Sequence, residues 1–122
     1  MQQVQTYRER SRSFLTKAWE ELDAGNLEQA SEKAWGATAM IVKAAAEERG
    51  LAHHTHRDYY PVLRAMVQQT GDEGLRDLFR AANELHHNFY EHWLTSEEVS
   101  SDIDSVERFV EKVEQLIPPT NG

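Results

Sequence analysis

The chain has 122 residues, of which 39% are hydrophobic, and a net charge of −8. This length predicts one domain with a modest core, and the acidic balance disfavours a protein that binds nucleic acid over its whole surface. The absence of cysteine excludes disulfides and thiolate metal sites and is typical of a reducing compartment. No apolar run is long enough for a membrane span, and the polar first residues do not resemble a signal peptide, so we expect a cytoplasmic protein without membrane contact.

The first half of the chain predicts a helical hairpin. Apolar residues at three- and four-residue spacing indicate a helix from Gln5 to Ala24 and another from Leu27 to Arg49, with Asn26 as the cap of the second and Gly50 as its end. So short a connection makes the two helices antiparallel. The predicted buried faces comprise Val4, Tyr7, Phe14, Leu15, Ala18, Trp19 and Leu22, and Leu27, Ala30, Ala34, Trp35, Thr38, Ile41, Val42 and Ala45. Ser11 is a small gap on the first of these faces.

The second half predicts three more helices. After a connection over residues 51–57, a third helix is capped by Thr55 or Asp58, has Pro61 in its first turn and ends near residue 70. A turn over residues 71–74 leads to a fourth helix that we expect to end near Leu94. The buried side chains of the third helix are predicted to be Tyr59, Val62, Leu63, Met66 and Val67.

A capping box is predicted before the fifth helix. Thr95 and Glu98 have the required spacing, and Val99, Ile103, Val106, Val110, Val113 and Ile117 then keep one helical face. Ser101 is a possible second cap, but we predict one helix that continues to residue 117 and is stopped by prolines, with residues 118–122 as a loose tail. The sequence thus predicts an all-α, up-and-down antiparallel bundle of four to five helices in one domain over residues 1–122.

The fourth helix has the densest set of groups that could act chemically. Its apolar stripe has His86 in the middle and is predicted to continue to Trp93. A polar stripe lies along its flank, with Tyr90 between the two, and the remaining polar residues are predicted to face away from the core. The flanking stripe comprises Arg76, Arg80, Asn83 and His87, and the side facing away comprises Asp77, Glu84, Asn88 and Glu91.

An arginine and a histidine on one helix could cleave RNA without metal. The histidine could move a proton at the 2′-hydroxyl, and the arginine could hold the phosphate. Arg80 and His87 share a face, whereas Arg80 and His86 would meet only around a groove edge. The alternative is that His86 is a hydrogen-bonded core residue while the other two are solvated, and the spacing alone favours this structural interpretation.

A metal site is a weaker hypothesis. His53, His54 and His56 lie close together in the sequence with Asp58 nearby, and imidazole suits zinc or iron. The fourth helix also has one Glu-x-x-His element at Glu84, but a di-iron site needs a second one, which the sequence lacks. We therefore expect a solvent-exposed histidine loop, with no metal ligands and no cofactor.

Several segments together resemble a known group. The runs ASEKAWG (residues 30–36) and LHHNFYE (residues 85–91), with HRDYYPVL and SEEVSSDIDSVERFVEKVEQL, resemble the small PaREP-type proteins, known mainly from archaea, within or beside the HEPN superfamily. The resemblance covers about Tyr7 to Ile117. It implies a helical bundle that forms a homodimer, often with a nucleotidyltransferase-like partner.

The resemblance also implies a candidate site. Active HEPN proteins are metal-independent ribonucleases, many of them toxins or defence effectors, with an Arg–His motif that matches Arg80 with His86, or Arg80 with His87. The polar residue that often follows the arginine is Ala81 in this chain. That difference, the acidic charge and the inward direction predicted for His86 favour a non-catalytic module that binds a nucleotide, another ligand or a partner, with RNA cleavage as the alternative. The candidate binding residues are Arg76, Asn83, Asn88 and Tyr90.

Overall fold

The computed structural model describes residues 2–118, which contain helices and turns but no strand. The five α-helices are α1 (Gln2–Asp23), α2 (Leu27–Arg49), α3 (Tyr59–Thr70), α4 (Gly74–Glu91) and α5 (Ser96–Leu116), and a 3₁₀ turn over His56–Asp58 directly precedes α3. α1 and α2 form the predicted hairpin, α4 and α5 pack against α2 and against each other, and α3 packs against α2 and α4. The predicted all-α bundle is therefore confirmed. None of the helices in this range could span a membrane.

The core lies where α2 meets the other helices. The side chains predicted to be buried in α3 and α5 are all buried, whereas six of the aromatic and leucine side chains predicted for α1 and α2 are only partly buried against the same core: Tyr7, Phe14, Trp19, Leu22, Leu27 and Trp35. Small residues in α2 let its neighbours approach closely. At Gly36 an added Cβ would lie 3.3 Å from the Phe14 ring, and buried Ser11 donates to the carbonyl oxygen of Ala37 at 2.7 Å.

The helix caps agree only in part with the sequence prediction. Asn26 occupies the predicted N-cap position of α2, but its side chain forms no capping hydrogen bond, because its amide donates to Glu21 Oε2 at 2.9 Å instead. At the 3₁₀ turn, Asp58 accepts from the backbone N–H groups of Thr55 (3.1 Å) and His54 (2.8 Å). These hydrogen bonds, that of Thr55 first, lower the pKa of the Asp58 carboxyl.

The capping box before α5 is confirmed. The backbone N–H of Glu98 donates to Thr95 Oγ1 at 3.1 Å, and the N–H of Thr95 donates to Glu98 Oε1 at 2.9 Å. α5 then continues without interruption at Ser101 and ends one residue before Ile117. Of the tail predicted over residues 118–122, residues 119–122 lie outside the described range.

α4 ends three residues earlier than predicted. His92 adopts the left-handed conformation (φ 59°), so the helix stops at Glu91. Trp93 was predicted to extend the apolar face, but it follows the helix and is 62% exposed. The Asn88 side chain explains this end, because its Oδ1 accepts from the backbone N–H groups of Trp93 (2.9 Å) and Leu94 (2.8 Å).

Candidate functional site

The predicted polar stripe on α4 is present and forms part of the surface; we call Arg76, Arg80, Asn83 and His87 the α4 seam. Arg76 Nε pairs with Glu73 Oε2 at 3.0 Å, and Arg80 pairs with Asp77. The Arg80 side chain is 72% exposed and its partner 75%. Exposed pairs of this kind contribute little to stability, so both guanidinium groups can exchange these partners for an incoming anion at small cost.

Four aromatic or imidazole rings border the seam; we call them the ring row: Tyr60, His56, His86 and Tyr90. The His56 ring stacks on Tyr60 with centroids 5.8 Å apart and meets His86 edge-on at 5.5 Å. His86 in turn meets Tyr90 edge-on at 5.9 Å. Tyr60 is 40% exposed and Tyr90 67%. The 3₁₀ turn, α3 and α4 thus bring together rings that are distant in the sequence.

His56 and His86 also pack on one indole. Trp35 of α2 stacks on His86 with centroids 4.6 Å apart and lies 4.8 Å from His56. His86 was predicted to point inward from the middle of the apolar stripe, but it is only partly buried: Trp35 covers one ring face, while the residue remains partly exposed. Trp35 therefore fixes the orientation of both imidazoles toward the surface formed by α3 and α4.

Two polar atoms at this surface have no hydrogen-bond partner among residues 2–118. They are His56 Nε2 and Asn83 Oδ1, and both are shielded from solvent. The other atom of the same amide, Asn83 Nδ2, donates to the Tyr60 hydroxyl over a long 3.3 Å. Because buried polar atoms are nearly always paired in native proteins, this neighbourhood has unused hydrogen-bonding capacity.

Burial lowers the pKa of one ring in the row, that of His86. Desolvation is the main cause that lowers the pKa of His86, and the neighbouring His56 and His87 add to it. His86 is therefore a neutral ring near pH 7 and has an acceptor nitrogen available.

The Arg80–His pair is not joined within one chain. Arg80 contacts Asp77, whereas His86 and His87 contact other rings, and no hydrogen bond links them among the described residues. Seven residues of helix separate Arg80 from His87, a rise of about 10 Å. A shared phosphate would have to bridge this distance, or a second copy of the chain would have to supply one of the two groups.

Asn88 was predicted to face away from the core, and that placement is wrong. It is 1% exposed, and its Nδ2 donates to Ser31 Oγ of α2 at 3.0 Å while its Oδ1 accepts the two backbone N–H groups after α4. Both atoms of the amide already have partners within the chain. We therefore assign Asn88 a structural role and leave it out of the proposed binding set.

The histidines considered for metal binding point to different partners. His53 Nε2 lies 2.8 Å from Glu47 Oε2. Outside that cluster, His92 Nδ1 lies 2.8 Å from Glu28 Oε1. His54 packs beside His53, whereas His56 belongs to the ring row. Across residues 2–118, no three histidine, aspartate or glutamate side chains are placed to hold a metal ion.

A pair of carboxyl groups connects α4 and α5, and sequence reasoning missed it. Asp102 is partly buried and hydrogen-bonds to Glu84, while its Oδ2 is shielded and unpartnered within the described chain. Burial first, and then the charge of Glu84, raise the pKa of Asp102 to about 7. Only the packing angle between α4 and α5 brings these acids together, so no spacing rule within one helix could have found them.

Comparison with known proteins gave a family match and a structure with a similar fold that are informative for this chain. The model of the archaeal PaREP1/PaREP8 family matches residues 6–110. A crystal structure of a protein from Sulfolobus solfataricus superposes with a TM-score of 0.77 at 21% sequence identity, covering 87% of this chain and 94% of that chain. At this identity, the likeness concerns the fold alone. No curated protein matches the sequence.

Proposed function

The chain belongs to the archaeal PaREP1/PaREP8 family, and we propose that it is a non-catalytic module that binds a nucleotide through the α4 seam and the ring row. The observation that carries the proposal is a row of four rings in stacked and T-shaped contact, two of them exposed tyrosines, beside two arginines with only exposed partners. A planar base can stack on these rings, and an anionic phosphate can pair with the arginines, so a nucleotide complements this surface.

The base would stack on a tyrosine of the ring row. Tyr90 is the most exposed of these rings, and stacking of a base on an aromatic side chain contributes about 1–3 kcal/mol. Hydrogen bonds would come from the unused atoms, His56 Nε2 and Asn83 Oδ1. Because the Tyr60 hydroxyl bonds the Asn83 amide only over a long 3.3 Å, a ligand acceptor can replace that hydroxyl at small cost.

The phosphate would contact the arginines. Arg76 and Arg80 are one helical turn apart, and a guanidinium binds phosphate through two parallel hydrogen bonds. His87 is exposed on the same face and adds a ring N–H donor. The seam thus supplies local positive charge on a chain whose net charge is −8, which suits a single nucleotide better than a long polyanion.

RNA cleavage is the second candidate, and one observation favours it. His86 is neutral near pH 7 because its pKa is lowered, which is the state required of a general base. In this alternative Arg80 would hold the scissile phosphate and His86 or His87 would accept the 2′-hydroxyl proton. The pair would have to assemble across a HEPN-type homodimer, since one chain does not join them.

The proposed module would also function as a homodimer, with a nucleotidyltransferase-like protein as its partner. The exposed Tyr60, Tyr90 and Trp93 support a surface that a second chain could partly cover. Light scattering of the purified protein tests this part independently of ligand binding. A monomer at all concentrations would remove the dimer from the proposal without affecting the binding site.

Titration calorimetry with AMP and UMP tests the binding site. Binding should weaken at least about tenfold in Tyr90→Ala and in Arg80→Ala, which corresponds to about 1.4 kcal/mol for each contact. Arg64→Ala is the matched control, because Arg64 is an exposed arginine of α3 with no ion pair in the described chain. Equal affinities in all four proteins, or no binding to the unaltered protein, would reject the proposal.

A further inference from the structure

A second surface lies between α1 and α2, away from the residues of the α4 seam and the ring row. Here a groove of about 330 Å³ is lined by Arg10, Ser13, Phe14, Lys17 and Met40. We call it the α1–α2 groove. No part of it enters the proposed nucleotide site.

The rim of this groove is cationic. Arg10 and Lys17 lie on one face of α1, two helical turns apart, and Lys33 of α2 places its ammonium 5.7 Å from the centroid of the Phe14 ring. None of the three forms an ion pair with another described residue, in contrast to these basic residues: Arg12, Arg76, Arg80, Arg108 and Lys112. On a chain of net charge −8, three cations without an ion pair among the described residues thus lie along this groove.

The base of the groove is apolar. Phe14 is only partly buried, and its ring packs against α2 at Gly36, where even an added Cβ would come within 3.3 Å. Met40 is also partly exposed. Methionine has a flexible, polarizable side chain that adapts to different apolar partners. The groove therefore offers an apolar contact for a side chain of another molecule, bordered by free positive charges.

We infer that the α1–α2 groove binds an acidic amphipathic helix of a partner protein. One or two apolar side chains of that helix would pack on Met40 and on the edge of the Phe14 ring, since the ring faces are taken by Gly36 and the Lys33 ammonium. Its carboxylates would contact Arg10, Lys17 and Lys33. A helix that places its apolar face in a groove is a common mode of peptide recognition, and the opposite charges set its orientation and increase the rate of encounter.

The shape and the charges favour this occupant over nucleic acid. A nucleobase would need a free ring face for stacking, whereas the Phe14 ring has one face against Gly36 and a lysine ammonium near its centroid. A long polyanion would also be repelled by the rest of the acidic chain. A short acidic helix contacts only the groove, so it needs no free ring face and is not repelled by the rest of the chain.

The test uses the full chain and a synthetic probe. The probe is a fluorescein-labelled helical peptide of Leu, Ala and Glu, with leucines along one face and glutamates on both sides of that face; a control peptide has lysine in place of every glutamate. Fluorescence anisotropy should show binding of the acidic peptide and not of the basic one. The Arg10→Glu/Lys17→Glu double variant and Met40→Glu should each weaken binding at least about tenfold, and added salt should weaken it too.

Arg64→Glu is the control variant, because it reverses one exposed, unpaired cation on α3. It should bind the peptide as the unaltered protein does, and circular dichroism should show equal helix content in all variants. No binding of the acidic peptide, or equal binding by every variant, would overturn the inference. So would two other results: preferential binding of a single-stranded RNA at this groove, or a dimer of the unaltered protein that the double variant abolishes, since a second copy would then be the occupant.

Discussion

Asn88 of α4 donates to Ser31 Oγ of α2 at 3.0 Å, and the two side chains are 1% and 0% exposed. The same asparagine accepts the backbone N–H groups of Trp93 and Leu94. One amide therefore joins α2, the end of α4 and the loop to α5. Because these hydrogen bonds hold the end of α4 against α2 and against the loop that leads into α5, the position of α4 and of its seam depends on them.

Asn88→Ala should destabilise the fold by about 2–3 kcal/mol, because it removes three hydrogen bonds and leaves two partly buried backbone N–H groups without partners. Urea denaturation followed by circular dichroism measures the change. Asn26→Ala is the control, since its exposed amide contacts only exposed Glu21, and it should change stability by less than about 0.5 kcal/mol. Equal small effects in both variants would contradict the role assigned to Asn88.

Thr95→Ala should lower the free energy of unfolding by about 1 kcal/mol, the usual loss when an N-cap is removed. The reason is that Thr95 Oγ1 accepts a hydrogen bond from the backbone N–H of Glu98. Ser101→Ala provides the comparison, since that serine lies within an uninterrupted α5 and should have an effect near zero. Thermal unfolding measures both. A larger loss at Ser101 than at Thr95 would mean that α5 starts later than the structure shows.

Asp102→Asn should stabilise the protein at pH 8 and have little effect at pH 4. The pKa of Asp102 is raised to about 7 in the folded state, so the folded protein holds a proton there that the unfolded chain loses above about pH 4. Stability is therefore lost as pH rises toward 7 and beyond. Because solvent screens the charges at this partly exposed site, Asp102→Asn should raise the free energy of unfolding at pH 8 by on the order of 1 kcal/mol.

The melting temperature measured from pH 4 to pH 8.5 tests this prediction. Asp104→Asn is the matched control, because it removes one carboxylate from an exposed position on the same helix. It should show no comparable pH-dependent gain. If the two variants had parallel curves, the Glu84–Asp102 contact would not be the cause.

Sequence periodicity was sufficient for the helices and most of the core, since helical spacing and the capping box at Thr95 depend on local chemistry. It failed at the end of α4, where Asn88 bonds to a serine 57 residues away. The helical wheel placed Asn88 toward solvent because it considers one helix alone, whereas α2 also covers that side.

The candidate site was likewise predictable only where it depends on a single helix. The α4 seam follows from spacing within one helix, and the structure places its members on one face. The ring row requires His56 from the 3₁₀ turn and Tyr60 from α3 to meet His86, and only tertiary packing brings them together. In the sequence, His56 belonged with a histidine cluster, so its actual neighbours were not predictable.

The most direct test of binding without cleavage uses a fluorescein-labelled RNA of only two or three nucleotides, which contains a cleavable bond but is not a long polyanion, in EDTA at low salt. Anisotropy and gel analysis of the same samples report binding and cleavage together. We predict RNA that is bound and intact, with binding weakened in Arg80→Ala and Tyr90→Ala. Cleavage that survives EDTA and disappears in both Arg80→Ala and His86→Ala would contradict the account and establish the ribonuclease alternative.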